Sequence, residues 1–319
     1  MVHLRIVAPA GHCAQVLKIL DQTDSVINVV HLPGAAVKPP GDVVLADVAR
    51  EDASVVIADL RQLGIPERGS ISIEPIETQL SAAADAAQRS AAGAPSDAVI
   101  WEEVASRTSE ESTFSATFVA FMILAMLIAA VGIFLDSPIL VVGAMVVGPE
   151  FGPIAATCVA LVQRRGNLAV RSLVALVVGF PLGITITVAV VWVFKETGVT
   201  PDAFDASDHG LSNSIANPDF LAFFVAFCAG IAGMLSLTTA KSGALIGVLV
   251  SVTTIPAAAN VAVAFVYGDW SSWRGSQEQL LLNIGGIHLA GVLTLLVQRR
   301  LYARRRARHR ARLAERGLV

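Results

Sequence analysis

Gly143-Ala144-Met145-Val146-Val147-Gly148-Pro149-Glu150-Phe151-Gly152-Pro153 sits inside Ile139–Val162, a stretch that is otherwise apolar and long enough to cross a hydrocarbon core of about 30 Å. The two prolines and two glycines of Gly148–Pro153 cannot continue a regular helix, because proline lacks the N–H and clashes with the preceding turn. A carboxylate at the same depth is costly unless it is paired, hydrated or protonated. Broken backbone is tolerated there only where protein buries it or a wet cavity touches it. Glu150, flanked by Pro149, Gly152 and Pro153, therefore reads as a transport or permeation site. The plainer alternative is a structural kink with a protonated, hydrogen-bonded Glu.

Composition points the same way. Hydrophobic residues make up 54 %, charged residues 15 %, and mean hydropathy is +0.66, far from an average soluble domain. His-Glu-x-x-His and Gly-x-Ser-x-Gly are missing, and Gly143–Gly148 lacks the Lys-Ser/Thr of a phosphate loop, so no enzyme is expected. Cys13, Cys158 and Cys228 are scattered, with neither a disulfide framework nor zinc spacing. His3, His12, Cys13 and His31 share no ligand motif, and no metal or cofactor is expected.

Residues 1–76 read as a small α+β domain. Val2–Ala8 alternates as a strand rather than a signal peptide, and His12–Gln22 has helical spacing. Ser25–Leu32 is β-rich and Pro33-Gly34 ends it; Asp42–Val48, Arg50–Leu63 and Gly69–Ile76 read as strand, helix and strand. The order βαββαβ is that of the ferredoxin-like split. The domain resembles small regulatory domains that bind ligands near the first strand–helix turn, here Pro9–His12, so a small-molecule regulator is expected. Residues 77–112 read as a polar linker or loose helix that Pro95 ends, followed by the amphipathic helix Asp97–Arg107, whose Trp101 suits either the headgroup level or packing on the soluble domain.

Residues 113–298 form the transmembrane domain of an α-helical polytopic membrane protein. Six spans are expected: Phe114–Leu135, Ile139–Val162, Val170–Phe194, Phe220–Leu237, Gly243–Phe265 and Leu280–Val297. Arg164, Arg165 and Lys241 fall on the side of the basic tail, residues 299–319, while Asp136, Glu196–Asp208 and Gly268–Glu278 fall opposite. The positive-inside rule then places both termini in the cytoplasm, in a bacterial inner membrane. Directly after a span, the Arg-rich tail is expected to bind anionic lipid rather than nucleic acid.

The membrane part repeats. Phe118-Val119-Ala120-Phe121 recurs as Phe224-Val225-Ala226-Phe227, Gly143-Ala144-Met145 as Gly243-Ala244-Leu245, and Pro153–Thr157 as Pro256–Asn260. Units of three spans must run in opposite directions, giving a 3+3 inverted repeat with interrupted helices, the architecture of many secondary transporters. The repeat names a second half-site: Thr253, Thr254, Pro256 and Asn260 against Pro149–Thr157, with Asn283 and His288 as lining groups. Gly179 with Gly183, and Gly243 with Gly247, read as helix-packing positions.

Gly143–Pro153, Ser242–Val248, Thr253–Asn260 and Val99–Val104 together resemble the bacterial membrane family designated domain of unknown function 389, over roughly Asp97 to Leu301. The resemblance implies an integral membrane protein without an assigned activity. The function expected is a transporter or channel for a small polar or ionic solute, gated by ligand binding to the cytosolic domain. The alternative is a membrane-anchored metabolite sensor or scaffold without transport. Small-residue stripes and the sheet domain suggest a homo-oligomer, dimer or trimer.

Overall fold

β1 (Val2–Ala8) pairs antiparallel with β3 (Pro40–Val48) on one side and β4 (Ser70–Pro75) on the other, and β2 (Val26–Val37) completes the order β2-β3-β1-β4. The computed structural model describes residues 1–91, 98–204, 209–239, 247–248 and 253–315, with the side chains of 308–310 and 312–315 outside that description. Helices α1 (Cys13–Asp21) and α2 (Arg50–Gln62) follow β1 and β3, and the one-turn α3 (Ile65–Arg68) precedes β4. Alternation along β1 puts Val2, Leu4, Ile6 and Ala8 in the core, against Val16 and Leu20 of α1 and Val56, Ile57 and Leu60 of α2. The element order is the expected one, but Pro33-Gly34 does not end β2. The ladder shifts register between Leu32 and Ala36, with Gly34 at φ 61°, and resumes to Val37 opposite Pro40. A bulge leaves the proline unpaired and lets the strand continue.

The chain divides into two compact units, with boundaries other than those expected. The first takes in Met1–Val104 and the end of the last helix from Gln298 on. Between the sheet and the second unit, the helix alternative for the polar stretch is the one that forms. Ser81 caps α4 (Ala82–Ser90), which buries Ala84 and Ala87, while 92–97 lie outside the described residues. Trp101, which opens α5 (Trp101–Glu111), is buried in this unit, its N–H bonded to Ser54 Oγ (3.1 Å) and its ring edge-on to Tyr302. It packs on the sheet-containing unit, as the second of the two expectations for it had it. The start of the basic segment contacts the same unit: Tyr302 Oη donates to Ser54 O, Arg305 Nη1 to Glu51 O (3.0 Å), and Arg306 pairs with Asp59.

The second unit is helical. α6 (Ala116–Phe134) starts at its cap Ser115; α7 (Pro138–Val147) and α8 (Phe151–Gln163) meet at a 49° bend; α9 (Gly166–Glu196) carries Pro181 inside it. After α10 (Gly210–Ala216) come α11 (Phe220–Thr238), α12 (Thr254–Tyr267) and α13 (Trp270–Glu315). Among the described residues four helices are long and apolar enough to cross a membrane, or five if the bent pair counts as one span. The expected fifth span in chain order is described only as α12, because 240–246 and 249–252 lie outside the described residues, and with them Lys241, Ser242–Ile246 and the Gly243-Ala244-Leu245 match. Of the acidic stretch Glu196–Asp208, residues 205–208 also fall outside them. The last helix does not begin at Leu280 but already at Trp270, so most of the expected Gly268–Glu278 loop is helix.

Helix contacts follow the small residues. A β-carbon on Gly179 would lie 2.9 Å from Phe118, and one on Gly183 2.7 Å from Met126, so α9 sits close on α6 at the expected pair of glycines. Gly230 stands the same way against Ile287 and Ala290 of α13. Eleven residues of α8 and eleven of α12 are buried, more than any amphipathic pattern predicts. α12 packs on α6, α7 and α9, whereas α8, besides α9, meets α11 and α13 through Phe151 on Gly233 and Cys158 on Gly291.

Candidate functional site

Gly148 caps α7, its N–H bonded to Ala144 O (3.1 Å), and two residues later Glu150 caps α8. Pro153 is the third residue of α8, where the N–H has no intrahelical partner and proline costs nothing. α12 begins alike: Thr253 is its cap and Pro256 its third residue. Both end alike as well. Arg164 (φ 57°) and Gly268 (φ 72°) take the left-handed conformation, and the next N–H in each case reaches back 2.9 Å, Arg165 to Ala160 O and Asp269 to Ala264 O. Each short helix is then tied to the following one: Thr157 Oγ1 donates to Ser172 Oγ, and Asn260 Nδ2 to Ser276 Oγ, both 2.9 Å.

The two helix starts meet. Thr254 Oγ1 donates to Glu150 Oε1 at 2.6 Å, and a β-carbon on Gly148 would run into Glu150 Oε2 and Ile255. Glu150 is 5 % exposed, and its Oε2 has no partner among the described residues. Beside it lies a cavity of about 10 Å³ lined by Glu150, Phe151, Ile154, Thr254 and Ile287, room for about one water. The starts of α8 and α12 aim their positive ends into this region, where a negative group is favoured, and Glu150 supplies it.

Thr253 faces a different space. Its Oγ1 accepts from Asn283 Nδ2 (3.0 Å), whose Oδ1 accepts from Gln279 Nε2 (3.0 Å). All three line a cavity of about 340 Å³, together with Ser214, Asn217 and Asp219. Consecutive residues at the start of α12 thus touch an open polar vestibule on one side and the buried carboxylate on the other.

Not every expected residue belongs here. Thr157 also bonds Pro153 O, and Asn260 is fully buried with its amide shared between Ser212 and Ser276, so both hold helices together. A β-carbon on Gly152 would sit 2.9 Å from Glu111, a packing contact rather than a lining one. His288 is bonded to Ile284 O of its own helix (2.8 Å). Pro149 and Pro153 shape the break. The residue missed is Gln279. Ser276, Gln279 and Asn283 recur at helical spacing, and that polar stripe was the available signal.

In the first unit a second group comes together that no spacing suggested. Cys13 Sγ lies 3.2 Å from His31 Nε2, which lies 3.1 Å from Asp42 Oδ2. The Gly34 N–H first, then His31 and Cys13, holds the Asp42 carboxyl down at about 2. Burial, then Asp42, pushes the Cys13 thiol up to about 11. His3 and His12 stand elsewhere, on Asp47 and Arg68.

Residues 145–289 match the model of the family described as Domain of unknown function (DUF389), so the resemblance read from Gly143–Pro153 holds over this part of the chain. The chain is similar to MJ0678 of Methanocaldococcus jannaschii, an uncharacterized protein, at 23 % identity over 203 residues. That alignment covers 61 % of this chain and 58 % of the relative, less than two thirds of its length. No solved structure matches.

Proposed function

We propose that the chain is a transporter or channel for a small polar or ionic solute, with Glu150 as the group that couples to a proton or small cation. One observation carries this reading: a buried carboxylate in a broken helix, one oxygen held by the start of α12 and the other without a partner among the described residues, beside a water-sized cavity. A purely structural kink gives no reason to leave Oε2 unmatched at that cost. Solute enters from the vestibule at Thr253, Gln279 and Asn283, and the Thr253-Thr254 step separates it from Glu150 in the closed form. The reading is of a non-enzymatic protein.

The proposal includes a 3+3 inverted repeat with six spans. The equal placement of Pro153 and Pro256, the Thr157–Ser172 and Asn260–Ser276 ties and the left-handed caps support it. It also includes both termini on the cytoplasmic side of a bacterial inner membrane, and a homo-oligomer. A reporter fused after Val319 that reads as periplasmic sinks the orientation, and a detergent particle of single-chain mass sinks the oligomer. The site itself is tested by flux. Purified protein in liposomes is challenged with proton and monovalent-cation gradients, and Glu150→Gln is expected to insert normally while losing flux or its pH dependence. Wild-type liposomes that pass none of these ions favour a membrane-anchored sensor instead.

A further inference from the structure

We infer that the first unit carries a site for a divalent transition-metal ion of the zinc class, built from Cys13, His31 and Asp42. The three ligand atoms lie within 4.8 Å of one another and come from three elements: the first residue of α1, β2 and β3. A tetrahedral zinc ion with Zn–S about 2.3 Å and Zn–N and Zn–O about 2.0–2.2 Å sets its ligands roughly 3.3–3.6 Å apart. The observed 3.2 and 3.1 Å are a few tenths shorter, within the reach of a side-chain rotation.

The shape of the cluster favours a metal over its rivals. In a nucleophilic triad the imidazole uses one nitrogen for the nucleophile and the other for the carboxylate. Here the same Nε2 faces both sulfur and carboxylate instead of bridging them, and the three donor atoms converge on one point where an ion fits. A thiolate and a carboxylate neutralise a divalent ion, and a soft sulfur, an imidazole and a carboxylate form a donor set suited to zinc.

The surroundings are built to match. The Gly34 N–H donates to Asp42 Oδ1 (2.8 Å), leaving Oδ2 for the cluster, the kind of outer bond that orients a metal-binding carboxylate. That N–H is available because of the bulge between Leu32 and Ala36. The His31 and Asp42 side chains are about a third exposed, 35 % and 29 %, so an ion has access and a fourth position stays open to water or a ligand. The cluster adjoins the Pro9–His12 turn. It rests on the first unit alone and stands or falls independently of transport.

The test uses the full chain in detergent, stripped with a chelator and titrated with Co²⁺. One Co²⁺ per chain is expected, with a thiolate-to-cobalt charge-transfer band, tetrahedral visible bands, and displacement by Zn²⁺. Cys13→Ser is expected to abolish the charge-transfer band. Asp42→Asn is expected to weaken Co²⁺ binding by at least about 100-fold, the upper end of what an outer-shell change costs. If Cys13→Ser does not fold, the chain lacking Cys158 and Cys228 is used, and retention of the band assigns it to Cys13. A wild-type chain without the band at saturating Co²⁺, or a band that survives Cys13→Ser, overturns the site.

Discussion

Thr254→Val removes the one hydroxyl that holds Glu150 while keeping the β-branched shape. The bond is short, 2.6 Å, and buried. A hydrogen bond to a charged group contributes about 1.5–3 kcal/mol, whereas neutral interhelical bonds between membrane helices average about 0.6 kcal/mol. On a Glu150→Gln background the same substitution breaks only a neutral bond. The difference, about 1–2 kcal/mol, is the coupling expected in a double-mutant cycle. Equilibrium unfolding in mixed micelles measures it, with wild type, both single variants and the double variant under one condition. Thr254→Val alone is expected to be the least stable of the four, since it leaves a buried carboxylate with neither oxygen matched. Coupling within about 0.5 kcal/mol of zero is what independent sites show. That result refutes the claim that the starts of α8 and α12 are joined through a charged Glu150.

Gly148→Ala forces a β-carbon onto Glu150 Oε2 and Ile255, whereas Gly143→Ala meets nothing within 4 Å. The first is expected to cost about 1–3 kcal/mol and the second to gain about 0.5–1 kcal/mol from helix propensity, read as opposite shifts in thermal unfolding. Asn260→Leu strips Ser212 and Ser276 of their buried partner and is expected to destabilise by about 1–3 kcal/mol; Thr157→Val is milder, because Ser172 keeps its bonds to Leu168 O and Ala169 O. Glu51 is buried with no side-chain partner for either carboxylate oxygen among the described residues, and burial raises its carboxyl above the ordinary range. The charged form is disfavoured in the folded state, so stability is greatest below the ordinary Glu value and falls as pH rises through the raised one. Glu51→Gln is expected to remove that slope and raise the melting temperature by a few degrees at neutral pH; an unchanged pH profile refutes it.

The presence of several apolar, span-length helices, the βαββαβ order and the break at Gly148–Pro153 were legible in the sequence because each depends on local properties. Apolar run length fixes which segments suit a membrane, period-2 alternation fixed Val2–Ala8, and proline chemistry fixed where helix α7 stops. The expected repeat set Thr253 and Thr254 against the Pro149–Thr157 stretch, and Thr254 does meet Glu150. Other features were not local. Whether Pro33-Gly34 ends a strand depends on a bulge against β3, and what Arg305 and Arg306 meet depends on Glu51 and Asp59, some 250 residues away along the chain. Gln279 was missed, despite its helical spacing with Ser276 and Asn283, because a polar residue at the edge of an apolar run reads as a loop until the helix is seen to start at Trp270. Cys13, His31 and Asp42 have no motif spacing, since a helix start and two strands bring them together. Sequence alone determined which segments are helix, strand or break and which residues a membrane makes costly. Only the tertiary structure decided what each costly group meets, because a partner more than 100 residues distant, as Thr254 is from Glu150, is set by packing and not by periodicity.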